Sequence, residues 1–340
     1  MESQEMKLPR ELILLVTNQC NSRCTICNIW REKPAKDLES RFYQNLPSSL
    51  RKISISGGEP FLREDLVDII RILNKNNPRF VISTNGLAPE LIKKRLKEIL
   101  KITKKVGIRV SVDGIGKAHD NIRGVHGSFK RALKTIEICK EMGIKDLGLF
   151  FIMQDKNLDE LKNVYFLSRK LRISFGCCPV DNSYSYKKYD NKLTKIGKIR
   201  TNLNFLIRNE LKSNRSKSWF KSFFYYGMYF YLQERIKQKK GMVLNCTGLR
   251  KFFLLDADGR IFPCTITNKS VGNIKKDKFN KIWKSKKAQD LRNFIKDCPT
   301  GCWTACNVNT SIRANIFKSA FWILTNKIKL HLGIRNFLGK

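Results

Sequence analysis

The chain has 340 residues, 42% hydrophobic and 28% charged, which excludes general disorder and allows a large domain with a smaller one beside it. Its 67 Lys and Arg against 29 Asp and Glu give a net charge of +38. That excess suggests an anionic partner such as nucleic acid, acidic lipid or a polyanionic substrate, unless it only reflects the Lys-, Asn-, Ile- and Phe-rich usage of an AT-rich genome.

Met1–Arg10 is polar and the apolar run Leu12–Val16 is too short for a signal peptide. No uninterrupted apolar stretch reaches the 18 residues or so of a membrane span. Eleven cysteines without a signal peptide point to metal ligands in a reducing compartment rather than a disulfide framework.

In chain order, Glu11–Thr17 reads as a strand, followed by a loop with Cys20, Cys24 and Cys27 spaced C-x3-C-x2-C. Three thiolates on one loop can hold three irons of a cubane cluster and leave the fourth iron open. A structural zinc site is the alternative. Arg51–Ser56 reads as a second strand, ending in Gly57-Gly58-Glu59-Pro60. A helix over Glu64–Asn76 leads to a strand at Arg79–Ser83 that ends in Ser83-Thr84-Asn85-Gly86. A helix over Pro89–Lys101 leads to a strand at Gly107–Val112, with Ser111 and Asp113-Gly114 at its end. The run His119–Gly124 contains Arg123. Helix Lys130–Met142, strand Leu147–Met153, helix Leu158–Leu171 and strand Ile173–Cys177 follow. Six strand-then-helix units imply a parallel sheet with helices outside it.

Tyr184–Lys240 carries the aromatic run Trp219–Tyr231 among Lys and Arg. Cys246 and Cys264 then bracket a hairpin, with strands at Phe252–Leu255 and Arg260–Pro263. A helix over Phe279–Phe294 precedes Cys298, Cys302 and Cys306. In Ile312–Lys340, Phe317, Phe321, Trp322, Leu324 and Ile328 are interleaved with Lys. Both aromatic, basic segments read either as interfacial helices with a cationic rim or as aromatics packed on the barrel with Lys in water. A nucleic-acid groove is a third reading. Cys139 reads as a core residue, and Cys177 and Cys178 end the sixth strand facing a cavity.

Cys20-Asn-Ser-Arg-Cys24-Thr-Ile-Cys27 resembles the signature of the radical S-adenosylmethionine (SAM) superfamily, and the ordered strand-end motifs behind it resemble that family's SAM-binding loops. Ile26 departs from the aromatic residue often found before the third cysteine. The pattern Cys246-x12-Gly259-x4-Cys264 with the cysteine-rich run behind it resembles the SPASM/twitch extension.

The resemblance implies an α/β fold: a partial (β/α)6 TIM-type barrel followed by a small α+β iron–sulfur domain. The implied layout is a radical SAM core over 8–180, a basic aromatic bridge over 181–240, an auxiliary cluster domain over 241–307 and a basic amphipathic segment over 308–340. It implies a 4Fe-4S cluster on Cys20, Cys24 and Cys27 that cleaves SAM to a 5′-deoxyadenosyl radical, which abstracts hydrogen from a carbon. Gly57, Gly58, Glu59, Pro60, Ser83, Asn85, Ser111, Asp113 and Arg123 match positions around SAM, with Glu59 near the methionyl ammonium. Five cysteines remain, enough for one auxiliary cluster, expected to be 4Fe-4S, on Cys246, Cys264, Cys302 and Cys306, with Cys298 spare or substituting. No catalytic acid or base stands out.

The expected partners are an electron donor such as ferredoxin or flavodoxin and a peptide, protein or small-molecule substrate. An anionic membrane surface joins them if the basic segments are interfacial helices. The expected location is the cytoplasm, soluble or peripheral at the membrane. The alternatives are a non-catalytic iron–sulfur electron-transfer or scaffold protein and an RNA-modifying radical SAM enzyme.

Overall fold

A computed structural model describes residues 7–32, 36–214, 216–236, 244–296, 298, 302 and 305–338, without the side chains of 216–217, 230–236 and 305–307. The strands are β1 (Glu11–Leu15), β2 (Lys52–Ser56), β3 (Arg79–Thr84), β4 (Val106–Ser111), β5 (Asp146–Met153), β6 (Ser174–Pro179), β7 (Phe252–Leu255), β8 (Arg260–Phe262) and β9 (Gly272–Asn273). The helices are α1 (Leu66–Leu73), α2 (Pro89–Ile102), α3 (Lys117–Arg123), α4 (Ser128–Glu141), α5 (Leu161–Lys170), α6 (Ile196–Lys212), α7 (Ser216–Ile236), α8 (Phe279–Lys284), α9 (Lys286–Lys296), α10 (Ala305–Ala314) and α11 (Ile316–His331).

One sheet contains every strand, in the order β6-β5-β4-β3-β2-β1-β7-β8-β9. β1 to β6 pair in parallel, and the sheet is an open barrel, not a closed one. β7 also pairs in parallel with β1, Glu11 opposite Phe252 and Leu14 opposite Leu255. The antiparallel strands β7–β9 thus extend the barrel sheet instead of forming a detached one. The boundary expected between residues 240 and 241 falls outside the described residues.

Strand alternation assigns the two faces. Ile53, Ile55, Phe80, Ile82, Ile108, Val110, Leu149, Phe151 and Phe175 are buried in the main core under α1, α2, α4 and α5. Fully burying each such side chain contributes about 1.5–3 kcal/mol. The opposite, concave face carries Ser54, Ser56, Ser83, Ser111 and Cys178, as the register aligns Ser54 with Val81, Ser83 with Arg109, Ser111 with Phe150 and Cys178 with Ile152. Cys177 therefore points outward, towards Tyr225 of α7, and only Cys178 faces inward as expected. Cys139 is a buried core residue of α4.

Two helices differ from expectation. The single helix expected over Phe279–Phe294 is broken at Ser285, whose backbone is extended and whose Oγ accepts from Ala288 N (3.2 Å). Serine competes for backbone donors and so starts a new helix there. The run His119–Gly124 forms the end of α3, which the motif reading did not resolve as a helix.

α6 and α7 pack as a hairpin beside the β6 edge, where Lys221 Nζ donates to Phe175 O (2.9 Å). Phe223, Phe224, Tyr225, Met228 and Tyr229 of α7 are buried. The described part of the aromatic run, 219–229, is thus a packing face. β7 is clamped from outside by α8, as the Phe253 ring lies 5.0 Å from Phe279 and 5.9 Å from Trp283.

Phe253→Ala is expected to cost about 3–5 kcal/mol in urea unfolding. Because β7 is hydrogen-bonded to β1, amide exchange should quicken in both strands. Unchanged protection in β1 would mean that β7–β9 is an appendage and not part of the barrel's folding unit.

Candidate active site

The loop after β1 brings Cys20, Cys24 and Cys27 together at the C-terminal ends of the strands. Backbone amides aim at two of the sulfurs: Ser22 N at Cys20 Sγ (3.5 Å) and Ile29 N at Cys27 Sγ (3.4 Å). Ser22 Oγ lies 3.1 Å from Cys24 Sγ. Burial pushes the Cys20 thiol up to about 11 and Cys27 up to about 12, and the neighbouring thiols of the loop add to both. Cys20 and Cys27, buried sulfurs that resist ionisation in the bare protein but have N–H donors pre-aimed, suit with Cys24 a cationic iron centre, whose charge reverses that penalty. The donor set fits the cluster.

The loop is held from three sides. Below it, Arg63 is buried and donates to Val16 O, Leu38 O and Asp65 and to Tyr43 OH (3.3 Å), fixing the end of β1. On the β2 side, Gly58 N donates to Thr17 O (2.7 Å), and a Cβ at Gly58 would overlap Gln19 O. Gly57 has a φ of +128°, and Pro60 opens the short 3-10 turn Pro60–Leu62. On the α3 side, Arg23 N and Ser22 Oγ both donate to Arg123 O at 3.0 Å, and Gly124 (φ +63°) leaves no room for a Cβ against Arg23 O.

Glu59 is buried, and its carboxylate accepts from Phe61 N (3.2 Å), Thr84 Oγ1 (2.9 Å) and Asn85 N (2.7 Å). Burial outweighs these donors and raises its pKa to about 7. Asn85 Nδ2 donates to Asn21 Oδ1 (2.8 Å) and lies 3.8 Å from Cys20 Sγ. Ser83 and Ser111 sit half-buried on the concave face.

Arg123 is buried, with one guanidinium nitrogen 3.6 Å from Cys24 Sγ and another 2.6 Å from Asp113 Oδ2. Its Nε has no hydrogen-bond partner among the described residues. Asp113 is wholly buried. Its Oδ1 accepts from Ile152 N (2.8 Å), its N–H donates to His119 Nδ1 (3.1 Å) and its carbonyl accepts from Asn157 Nδ2 (3.1 Å).

Arg63, His119, Asn157 and Tyr186 were missed by sequence reasoning. Each acts through backbone contacts across the fold, and no motif marks them. The one local hint was His119-Asp120 before Arg123, where Asp120 accepts from Gly127 N, Ser128 Oγ and Phe129 N and so joins α3 to α4. Tyr186 lies in the segment read as a bridge; its carbonyl accepts from Asn28 N (2.8 Å), beside Cys27. Its phenol is kept protonated by burial, with Cys178, Asp181, Cys27 and Asp113 adding to the effect.

In the second set, Cys298 lies close enough to Cys246 and Cys264 to disfavour the ionisation of both, and Cys246 adds to the effect on Cys264. Burial is the larger cause and takes Cys264 to about 12. Gly248 N reaches Cys246 Sγ at 3.4 Å, the same N–H-to-sulfur arrangement as in the first loop. Cys302 is half-buried, and the side chain of Cys306 lies outside the described residues. Among the described residues Cys246, Cys264 and Cys298 thus gather at one place. The turn after β6 links the two sets: Tyr184 OH donates to Asp256 Oδ2 (3.0 Å), Arg260 donates to Tyr184 OH (2.6 Å) and Ser185 Oγ donates to Thr265 O (3.1 Å).

A cavity lined by Leu8, Tyr43, Leu50, Asn76 and Phe279 lies at the opposite, N-terminal end of the strands and contains none of the expected site residues.

Two buried groups give the site a pH signature. Burial lowers His119 from 6.5 to about 3, so its share of stability is lost as pH falls below 6.5. Glu59, raised from 4.5 to about 7, does the reverse: its share is present in acid and lost as pH rises towards 7. Between 4.5 and 6.5 the two slopes oppose each other. His119→Asn keeps an acceptor for Asp113 N and removes one slope. Relative to wild type, the variant should gain about 1.4 kcal/mol per pH unit on acidification below 6.5, read by denaturant unfolding across pH. Parallel pH profiles would show that His119 titrates normally.

Comparison with known proteins gives the same picture. A family model described as the radical SAM superfamily matches residues 14–167, and the SPASM iron–sulfur cluster-binding domain matches 246–307. The AdoMet-dependent heme synthase of Methanosarcina barkeri is 25% identical over 298 residues, 82% of each chain. The antilisterial bacteriocin subtilosin biosynthesis protein AlbA of Bacillus subtilis is 23% identical over 92% of this chain and 72% of its own. Among solved structures, Streptococcus suis SuiB bound to S-adenosylmethionine superposes with a TM-score of 0.64 at 16% identity, over 86% of this chain and 73% of that one. With both domain models in chain order on the fold they require, the chain belongs to the radical SAM superfamily and carries a SPASM domain.

Proposed function

We propose that Cys20, Cys24 and Cys27 hold the family's 4Fe-4S cluster, and that the hydrogen removed comes from a carbon of a peptide or protein lying along the concave face. The observation that carries the site assignment is the buried row Cys24–Arg123–Asp113, which joins the cysteine loop to the ends of β4 and β5. Reductive cleavage of SAM at the cluster supplies a radical strong enough to take hydrogen from an unactivated carbon.

This chain's own residues orient the reactants. Arg123 has an unused Nε donor and so can engage the SAM carboxylate. Glu59 is poised near neutrality and offers a carboxylate whose ionised form a methionyl ammonium would stabilise. Gly57, Gly58 and Pro60 shape the loop that presents it, and Asn85, Ser83 and Ser111 complete the polar rim. In the SPASM domain Cys246, Cys264, Cys302 and Cys306 would hold one auxiliary 4Fe-4S cluster, and Cys298 competes for a position through its closeness to the first two. The reductive step needs an external electron donor such as ferredoxin or flavodoxin.

A peptide is favoured by the bacteriocin-biosynthesis relative AlbA. A tetrapyrrole is the second reading, supported by the heme synthase relative.

Anaerobically reconstituted protein given SAM and dithionite should release 5′-deoxyadenosine, and Cys24→Ala should abolish it. Arg123→Ala should weaken SAM binding at least about tenfold, the effect of losing one charge-assisted contact. Intact clusters without 5′-deoxyadenosine would leave a non-catalytic electron-transfer role. Label transfer from a deuterated peptide into 5′-deoxyadenosine supports the peptide reading, whereas tight iron-porphyrin binding with a shifted Soret band replaces it with the tetrapyrrole.

A further inference from the structure

α11 carries two faces with different fates. Ser319, Ile323 and Asn326 are buried against α6 and α7, and Trp322 packs on Phe223 (5.6 Å) and Tyr226 (4.6 Å). On the opposite side Phe317, Phe321, Leu324, Ile328 and the cap residue Leu332 are between 61% and 88% exposed. Their spacing of four, three, four and four residues keeps them on one stripe of the helix. Large apolar side chains aligned at this exposure mark an interaction surface, not scattered surface hydrophobes.

We propose that this stripe docks α11 flat onto an anionic lipid bilayer. The charge pattern selects that occupant. Residues 298–340 contain Arg313, Lys318, Lys327, Lys329, Arg335 and Lys340 and no Asp or Glu. On a helical wheel Lys318 and Lys329 border the stripe on one side, at the height where lipid phosphates would lie, and Lys327 lies on the other with its ammonium 3.6 Å over the Trp219 ring of α7. A second copy of α11 would bring cations against cations with no acid to pair them. A nucleic acid would meet the lysines but leave five apolar side chains in water. The stripe is also a convex ridge, because the helix is backed by α6 and α7. A ridge enters the headgroup–acyl boundary, whereas a helical peptide partner needs a groove. No helix among the described residues is long and apolar enough to cross a membrane, so the contact is interfacial.

The test is co-sedimentation of the full chain with vesicles of phosphatidylcholine alone or with about 30% phosphatidylglycerol. Wild type should partition at least about tenfold more onto the anionic vesicles, and about 0.5 M salt should weaken this. Leu324→Ser/Ile328→Ser changes only exposed positions, so it should keep wild-type circular dichroism and SAM cleavage while losing about tenfold of the binding. Lys329→Glu should weaken anionic-vesicle binding alone. Absent vesicle binding, or equal binding by wild type and the serine variant, overturns the proposal. So does a concentration-dependent dimer, or RNA binding, that the serine variant abolishes in place of vesicle binding.

Discussion

A single buried arginine ties the site together. Arg123 reaches Cys24 Sγ with one nitrogen and Asp113 with another, and its carbonyl anchors Ser22 and Arg23 of the cysteine loop. A buried guanidinium is costly unless paired, so its environment must be complete before the loop can settle. Asp113 supplies the counter-charge and is itself held by Ile152 N, His119 and Asn157. The ends of β4 and β5, α3 and the loop after β1 are therefore fixed as one unit. A guanidinium N–H aimed at Cys24 Sγ is also placed to donate to a metal-bound sulfur, so this fold requirement coincides with the needs of a metal ligand.

The open sheet follows a similar economy. Its outer face is continuous aliphatic and aromatic packing, as expected where helices cover parallel strands. Its inner face sets the hydroxyls of Ser54, Ser83 and Ser111 among larger residues such as Val81, Arg109 and Phe150, which supplies hydrogen-bonding capacity near the triad. Pairing β7 with β1 places the auxiliary hairpin on the edge opposite β6, and a second cluster of Ile13, Leu15, Tyr184, Phe252, Leu254 and Phe262 packs beside Cys264. The turn 184–186 spans the gap, bonded to Asn28 on one side and Thr265 on the other. The two cysteine sets, more than two hundred residues apart in sequence, are thereby held in one frame.

Much of the fold could be read directly because it is written in local periodicity. Strand alternation and helical spacing placed the six core units within one or two residues at most ends, and glycine-containing turns located the strand-end loops. The misreadings have local causes. Ser285 stops a helix that hydrophobic spacing alone would continue. Adjacent cysteines at 177 and 178 cannot both face inward on a strand, and only the register says which one does. His119, Asn157 and Arg63 could not be found, because their value lies in backbone groups 6 to 47 residues away along the chain.

The two basic, aromatic segments mark the boundary between what the sequence determined and what the tertiary structure decided. The sequence alone determined the triad, the order of the strand-end motifs and the existence of a second thiol set, because spacing in the chain is enough to define a ligand loop. It could not separate the aromatic run of α7 from that of α11, whose compositions are alike. Tertiary structure buried Phe223, Tyr225 and Tyr229 and left Phe317, Phe321 and Leu324 in water. Burial depends on which face of a helix meets a neighbour, and that is fixed only once α6, α7 and the β6 edge have come together.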